Sequence, residues 1–449
     1  MPMIDEAIKH YHELLQSSRA EDAQARLATG TDRYNLKFGS RPICSVLRPF
    51  LITSHDYNQV MLGSRLVVRA VRKLGAALLV NAVLRSKIDI SPDEERLIAI
   101  EPGYTTADAS GRLDAFLGSH GGFHFVEYNA ESPGGLLYGD CLSEIFLGMD
   151  VVRDFSQKYP VWRVPIRPRI LQALLACYRE WGGIDNPQIG IVDWNEVSTR
   201  AEFEISREYF ESQGHRTAII DPGELEIREG RLWAGDFRVD LVYKRVVTGE
   251  LLERGGFDHP LIRAAAEHLA CVVNSFRVQM LFKKALFALL DDPEVEHLFE
   301  PEEIRAIRDH IPWTRRLEEG FAMYHGRRLD LLEFVAANRE RLVLKPNSDY
   351  GGRGVSLGWE CSNELWQEKM RDALGASFVV QERVEVREES FPRLVDGQIQ
   401  IAKYYVDFDP YTWVDNDVTG AGVRLSSSAL LNVTSGGGSA TPLLIIDKS

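Results

Sequence analysis

Leu344-Lys345-Pro346-Asn347-Ser348-Asp349-Tyr350-Gly351-Gly352-Arg353-Gly354-Val355 ends an apolar run on a lysine and follows it with a turn that carries three glycines. A cation fixed at a strand end, beside backbone N–H groups left open by a glycine turn, can cradle a polyphosphate. The same residue types also build ordinary hairpin turns. The P-loop pattern GxxxxGK[ST] is absent, and no GxGxxG follows the apolar run at 189–193. Both absences argue against P-loop NTPases and dinucleotide oxidoreductases.

Working back toward the N-terminus, Arg112-x-Asp114 and Glu127-x-Asn129 lie in two runs of strand character, 112–117 and 123–128, joined by the glycine-rich 118–122. Residues two apart in a strand share a face, so a hairpin here projects four polar side chains together. Grouped oxygen donors suit Mg²⁺, and an adjacent arginine can offset charge on a transferred phosphoryl group. The competing reading is the solvated face of a half-exposed hairpin.

The surrounding chain reads as helical over 4–27 and 55–84, with Gly63 and Gly75 interrupting the second stretch. After Pro187 come a strand at 189–193, a helix at 202–213 ended by Gly214, and a strand at 217–221. Alternating runs at 225–233 and 237–245 are expected to close a mixed sheet with them. Helices are expected to dominate from 257 to the strand at 341–345, with later strands at 378–386, 398–408 and 429–434. No repeat or low-complexity linker divides the chain.

At 449 residues the chain has room for two or three subdomains, and 45% hydrophobic with 26% charged residues is ordinary for a globular protein. A formal charge of -14 disfavours nucleic acid or an anionic membrane as partner. The five cysteines are scattered without CxxC spacing, which fits a reducing cytoplasm. The first residues lack a signal-peptide pattern, and the apolar run at 74–84 is too short for the ~20 residues of a membrane span.

Taken in order, these segments resemble the circularly permuted ATP-grasp family, which includes the synthetase domain of glutathionylspermidine synthase. The R-x-D and E-x-N-x-x-PG strands that usually come last stand first here, as Arg112-Leu113-Asp114 and Glu127-Tyr128-Asn129-Ala130-Glu131-Ser132-Pro133-Gly134. The lysines follow, at Lys284 and at Lys345 with its loop, and then a hinge-like strand at 379–384.

The resemblance implies an α/β (α+β) permuted ATP-grasp fold with a small Rossmann-like subdomain. Its parts would be a helical region at 1–110, metal-ligand strands at 111–185, the small α/β subdomain at 186–255 and an ATP-binding part at 256–449. It implies Asp114, Glu127 and Asn129 as ligands of one or two Mg²⁺ ions. Lys284, with Lys283 as an adjacent competitor, and Lys345 would hold ATP phosphates under the loop of Tyr350, Gly351, Gly352, Arg353 and Gly354. Gln381, Glu382 and Val384 would face adenine. Arg112, and Arg424 with Asn432 of an R…N…GG segment, would stand beside the transferred phosphate.

The implied activity is an ADP-forming ligase that joins a small carboxylate to an amine, such as an amino acid, peptide or polyamine, through an acyl phosphate. A nucleotide-binding partner without turnover and a phosphotransferase are the alternatives.

Other candidates read more simply. His120 and His124 lack a third ligand with zinc spacing. Ser198 and Thr199 suit a helix N-cap, with a carboxylate-binding role as the rarer option. Arg315-Arg316 and Arg327-Arg328 read as solvated helix faces, and Trp194, Trp313 and Trp413 as packing.

Overall fold

The computed structural model describes residues 3–118, 122–349, 351–428 and 438–448, without the side chains of 17 and 18. The expected first helix is two, Met3–Leu14 and Ser17–Arg33. The second stretch is a helix of 27 residues, Ser54–Val80, capped by Thr53, whose side chain accepts from the Asp56 N–H at 3.0 Å. Gly63 and Gly75 do not interrupt it. A Cβ on Gly63 would stand 2.6 Å from Phe123 Cζ and 2.9 Å from His310 Nε2. Glycine therefore admits a close neighbour here, the stacked Phe123 and His310 rings with centroids 3.9 Å apart.

The expected hairpin is present as Ser110–Leu117 and Phe123–Asn129, with Arg112 opposite Asn129 and Asp114 opposite Glu127. Beside it runs the long strand Gln398–Trp413, then Val418–Ser426 and Gly438–Ala440, all antiparallel. Glu388–Val395 pairs with the outer half of the long strand. Segments from opposite ends of the chain thus share one sheet. The long strand passes the expected end at 408 because Phe408, Tyr411 and Trp413 are buried. The expected strand at 429–434 lies outside the described residues.

The α/β unit has a fully parallel sheet ordered Cys271–Val273, Leu241–Lys244, Ile189–Val192, Thr217–Ile220. The expected mixed sheet is not formed. Glu229 and Gly230, at φ 53° and 67°, turn the chain between Leu225–Arg228 and Arg231–Ala234, and Arg231–Ala234 pairs on its other side with Phe237–Val239 in a separate antiparallel sheet. Within 225–245, only 241–244 has the uninterrupted burial of a central parallel strand.

Between 257 and 341 helices predominate as expected, but short strands interrupt them, including Thr314–Arg316 and the hairpin Phe321–Tyr324 with Arg327–Asp330. Arg315 and Arg316 are strand residues, Arg315 paired with Asp291 at 3.0 Å. A sheet ordered Thr314–Arg316, Phe378–Glu382, Leu342–Pro346, Ser356–Leu357 carries the lysine loop over its own core of Trp313, Leu344 and Trp366.

Two buried polar junctions tie the α/β unit to the hairpin sheet. Asn274 accepts from the Ala109 N–H at 2.7 Å and donates to the Ser110 and Ala130 carbonyls at 2.8 Å each. Glu131 accepts from Lys244 Nζ and Gln279 Nε2 at 3.0 Å each. The apolar cores of the hairpin sheet and the α/β unit are thereby tied together. Gly63→Ala is expected to lower stability by about 1–2 kcal/mol in urea titration, because crowding the Phe123–His310 stack outweighs the ~1 kcal/mol gain in helix propensity.

Candidate functional site

One cleft of about 1430 Å³ is lined by the hairpin, the long strand, the lysine loop and the mouth of the parallel sheet. Its floor is a single sheet face. Alternation along four neighbouring strands puts Glu127 and Asn129, Arg112 and Asp114, Asp407 and Asp409, and Arg424 side by side.

Asp114 is the centre of this floor. Its Oδ1 accepts from Arg112 Nε at 2.6 Å and Asn129 Nδ2 at 2.8 Å, and its Oδ2 from Arg112 Nη2 at 3.0 Å and Arg424 Nη2 at 2.8 Å. Burial pushes this carboxyl upward, but Arg112 and then Arg424 outweigh it and hold it well below the usual range. Arg424 also donates from Nε to Asp407 Oδ2 at 2.7 Å, and its backbone N–H reaches Asp407 Oδ1 at 2.8 Å. Asp409 Oδ2 lies 2.9 Å from Arg424 Nε without hydrogen-bond alignment. Burial raises Asp407 to about 6 against the pull of Arg424, and raises Asp409 well above its ordinary value.

The phosphate-binding candidates face this floor. Lys284 Nζ stands 3.2 Å from Glu127 Oε2 and donates to the Asp349 carbonyl at 2.6 Å. Lys283 turns elsewhere, to Glu94 at 2.6 Å and Ser348 Oγ at 2.7 Å. Lys345 Nζ donates to Gln381 Oε1 at 2.7 Å and to the Val126 carbonyl at 3.3 Å. Burial lowers Lys345 to about 8, with Glu127 opposing the shift and Lys284 adding to it. Burial alone would raise Glu127, yet Lys284 and Lys345 bring it below its ordinary value despite Asp114. Gly351, Gly352 and Gly354 have φ of 69°, 73° and 69°, the left-handed region that glycine enters without a Cβ penalty.

The hinge strand lines the cleft with Gln381, Glu382 and Val384, but its polar side chains already have partners within the protein. Gln381 is buried and donates to Thr314 Oγ1 at 3.0 Å, so its amide does not present itself to a base. The Glu382 carboxylate accepts from Tyr324 OH at 2.6 Å. Val384 lines the cleft with Trp359, over whose ring Arg383 sits at 4.1 Å. Tyr350, Asn432 and His120 lie outside the described residues. His124 is part-buried, and burial lowers its pKa.

At the far end of the cleft, Asp193 and Arg245 end two parallel strands, where α/β sheets commonly bind ligands. Ser198 and Thr199 line this end too, though Thr199 makes no side-chain cap. Sequence reasoning missed Asp407, Asp409, Arg245 and Trp359 as lining residues. The two aspartates carried a signal, since Val406-Asp407-Phe408-Asp409 alternates apolar and acidic on a strand.

Glu127 and Asn129 offer oxygens to the cleft in a manner that fits a hard divalent cation. Asp114 does not fit as it stands, since four N–H donors already occupy its two oxygens. Among the described residues no group of three or more His, Cys, Asp or Glu could hold a metal.

No protein-family description matches the chain, and no curated protein matches it. Among solved structures it is similar to a glutathione synthetase like-effector from Globodera pallida in its apo form, with 13% sequence identity and a TM-score of 0.61 over 94% of this chain and 96% of that one. That likeness is one of fold, a mixed α/β architecture. Among the described residues no helix is long and apolar enough to cross a membrane.

Asp114→Ala is expected to cost about 3–5 kcal/mol in denaturant titration, because Arg112 and Arg424 lose their shared buried partner. Glu127→Gln, at the edge of the cleft floor, should cost about 1 kcal/mol.

Proposed function

We propose that the chain is an ATP-dependent ligase that joins a small carboxylate to an amine through an acyl phosphate, on an ATP-grasp-type scaffold with its segments in permuted order. The observation that carries this reading is the convergence of Lys284, Lys345 and the glycine loop on Glu127 and Asn129 from distant parts of the chain. The fold likeness to a protein described as glutathione synthetase-like supports it at the level of architecture. On this reading the chain divides near 110, 185 and 255 into the four parts expected from sequence, and it works in the cytoplasm.

Lys284 and Lys345 hold the phosphate chain, and the loop 351–354 folds its backbone N–H groups over it. Arg112, anchored by Asp114, and Arg424, anchored by Asp407, face the charge that spreads as the γ-phosphoryl group moves. Glu127 and Asn129 would hold Mg²⁺, which when bound neutralises phosphate oxygens. A carboxylate oxygen of the substrate attacks the γ-phosphorus while its bond to ADP breaks. The amine nitrogen then attacks the acyl carbon, phosphate leaves, and the nitrogen gives up one proton. The chain supplies position and fixed charge rather than a covalent nucleophile. The second end of the cleft, around Asp193 and Arg245, has room for the substrates beside the nucleotide.

Incubation with ATP, Mg²⁺, hydroxylamine and a panel of amino acids and peptides should yield a hydroxamate and ADP in step. ATP hydrolysis indifferent to any carboxylate, or no nucleotide binding, contradicts the proposal. Glu127→Gln should abolish hydroxamate formation with nucleotide affinity changed by less than about threefold. Free Lys345 loses its proton near pH 8, whereas bound phosphate favours the charged form. ADP affinity by calorimetry should therefore fall as pH rises above about 8, by up to roughly tenfold per unit, and Lys345→Arg should remove the fall.

A further inference from the structure

We infer that Gln381 is a positioning residue for Lys345: its side-chain carbonyl, locked by Thr314, aims the lysine ammonium at the phosphate end of the cleft. The inference rests on the nucleotide reading above, since it gives that aim its purpose.

The geometry leaves one orientation for the amide. Thr314 Oγ1 donates to the Pro312 carbonyl at 2.8 Å, so toward Gln381 it can only accept. Gln381 Nε2 fills that role at 3.0 Å, which turns Oε1 to Lys345 Nζ at 2.7 Å. Flipping the amide would set NH₂ against an ammonium and an oxygen against a hydroxyl oxygen with no proton to give. Neighbouring strands enforce the arrangement, because Gln381 stands opposite Thr314 on one side and Val343 on the other. Gln381 Oε1 and the Val126 carbonyl engage two of the three ammonium N–H groups and leave the third for the cleft. The charged groups acting on Lys345 come from three other segments, as Glu127, Lys284 and Asp114. None of them replaces the amide as a neutral acceptor.

Gln381 thus acts on phosphate through Lys345, and a residue that instead faced the base would act on adenosine. Calorimetry of the full chain with MgADP and with adenosine separates the two. Gln381→Leu should weaken ADP about tenfold, the value of one charge-assisted hydrogen bond, and adenosine less than twofold. Thr314→Val, which leaves both partners in place, should weaken ADP about threefold by the same route. In a Lys345→Ala background, Gln381→Leu should add less than twofold. Equal losses for ADP and adenosine, or additive losses in the double variant, overturn the inference. A ligand-free crystal structure of Gln381→Leu decides the positioning independently. Lys345 Nζ should leave the Val126 carbonyl, and an unmoved lysine refutes the role whether or not ADP binds. A displaced lysine in a protein that binds no ADP refutes the nucleotide reading instead.

Discussion

Asp114 lies between two guanidiniums, Arg112 from its own strand and Arg424 from a strand three hundred residues later in the chain, each held at 2.6–3.0 Å. The cleft floor is organised around that carboxylate. Asp407 and Asp409 extend the array on the strand between, so three neighbouring strands are locked in register by charge as well as by backbone hydrogen bonds. A buried array of this kind yields little net stability, because desolvation of each ion offsets most of the attraction. What it provides is orientation. Two long, flexible arginines are held as fixed dipole-like groups beside the space that the lysines face, which is the arrangement that charge stabilisation in a reaction requires.

On the proposed reading, the same balance lets an acidic protein present a phosphate site. Arg112, Arg424, Lys284 and Lys345 stand against Asp114, Glu127, Asp407 and Asp409, so the formal charges of the floor and of the lysines that face it balance. On the proposed reading, a polyphosphate entering the cleft would exchange partners with groups already in place. Of these four cations, Lys345 alone has a neutral amide and a carbonyl as its hydrogen-bond partners in place of a direct carboxylate.

Local chemistry made part of this legible in sequence. The hairpin followed from strand alternation around a glycine turn, and the lysine loop from three glycines whose left-handed conformations no other residue adopts as readily. The α/β unit followed from apolar runs spaced by an amphipathic helix. Gly63 was misread as an interruption because its reason, the Phe123–His310 stack, comes from residues distant in the chain. Gln381 was read toward adenine because its partner Thr314 lies 67 residues away. Asp114 was read as a metal ligand because the R-x-D spacing shows that two side chains share a face and is silent about a second arginine arriving from residue 424. In each case the missing information was tertiary register.

The central claim is that segments from both halves of the chain form one nucleoside-triphosphate site. Its most direct test is calorimetric titration of the intact protein with MgADP, alongside Lys284→Ala and Lys345→Ala variants whose thermal stability has been matched to wild type. The account predicts one site per chain, weakened about tenfold or more by each substitution. Binding that neither lysine affects, or no binding in the folded wild-type protein, would contradict it.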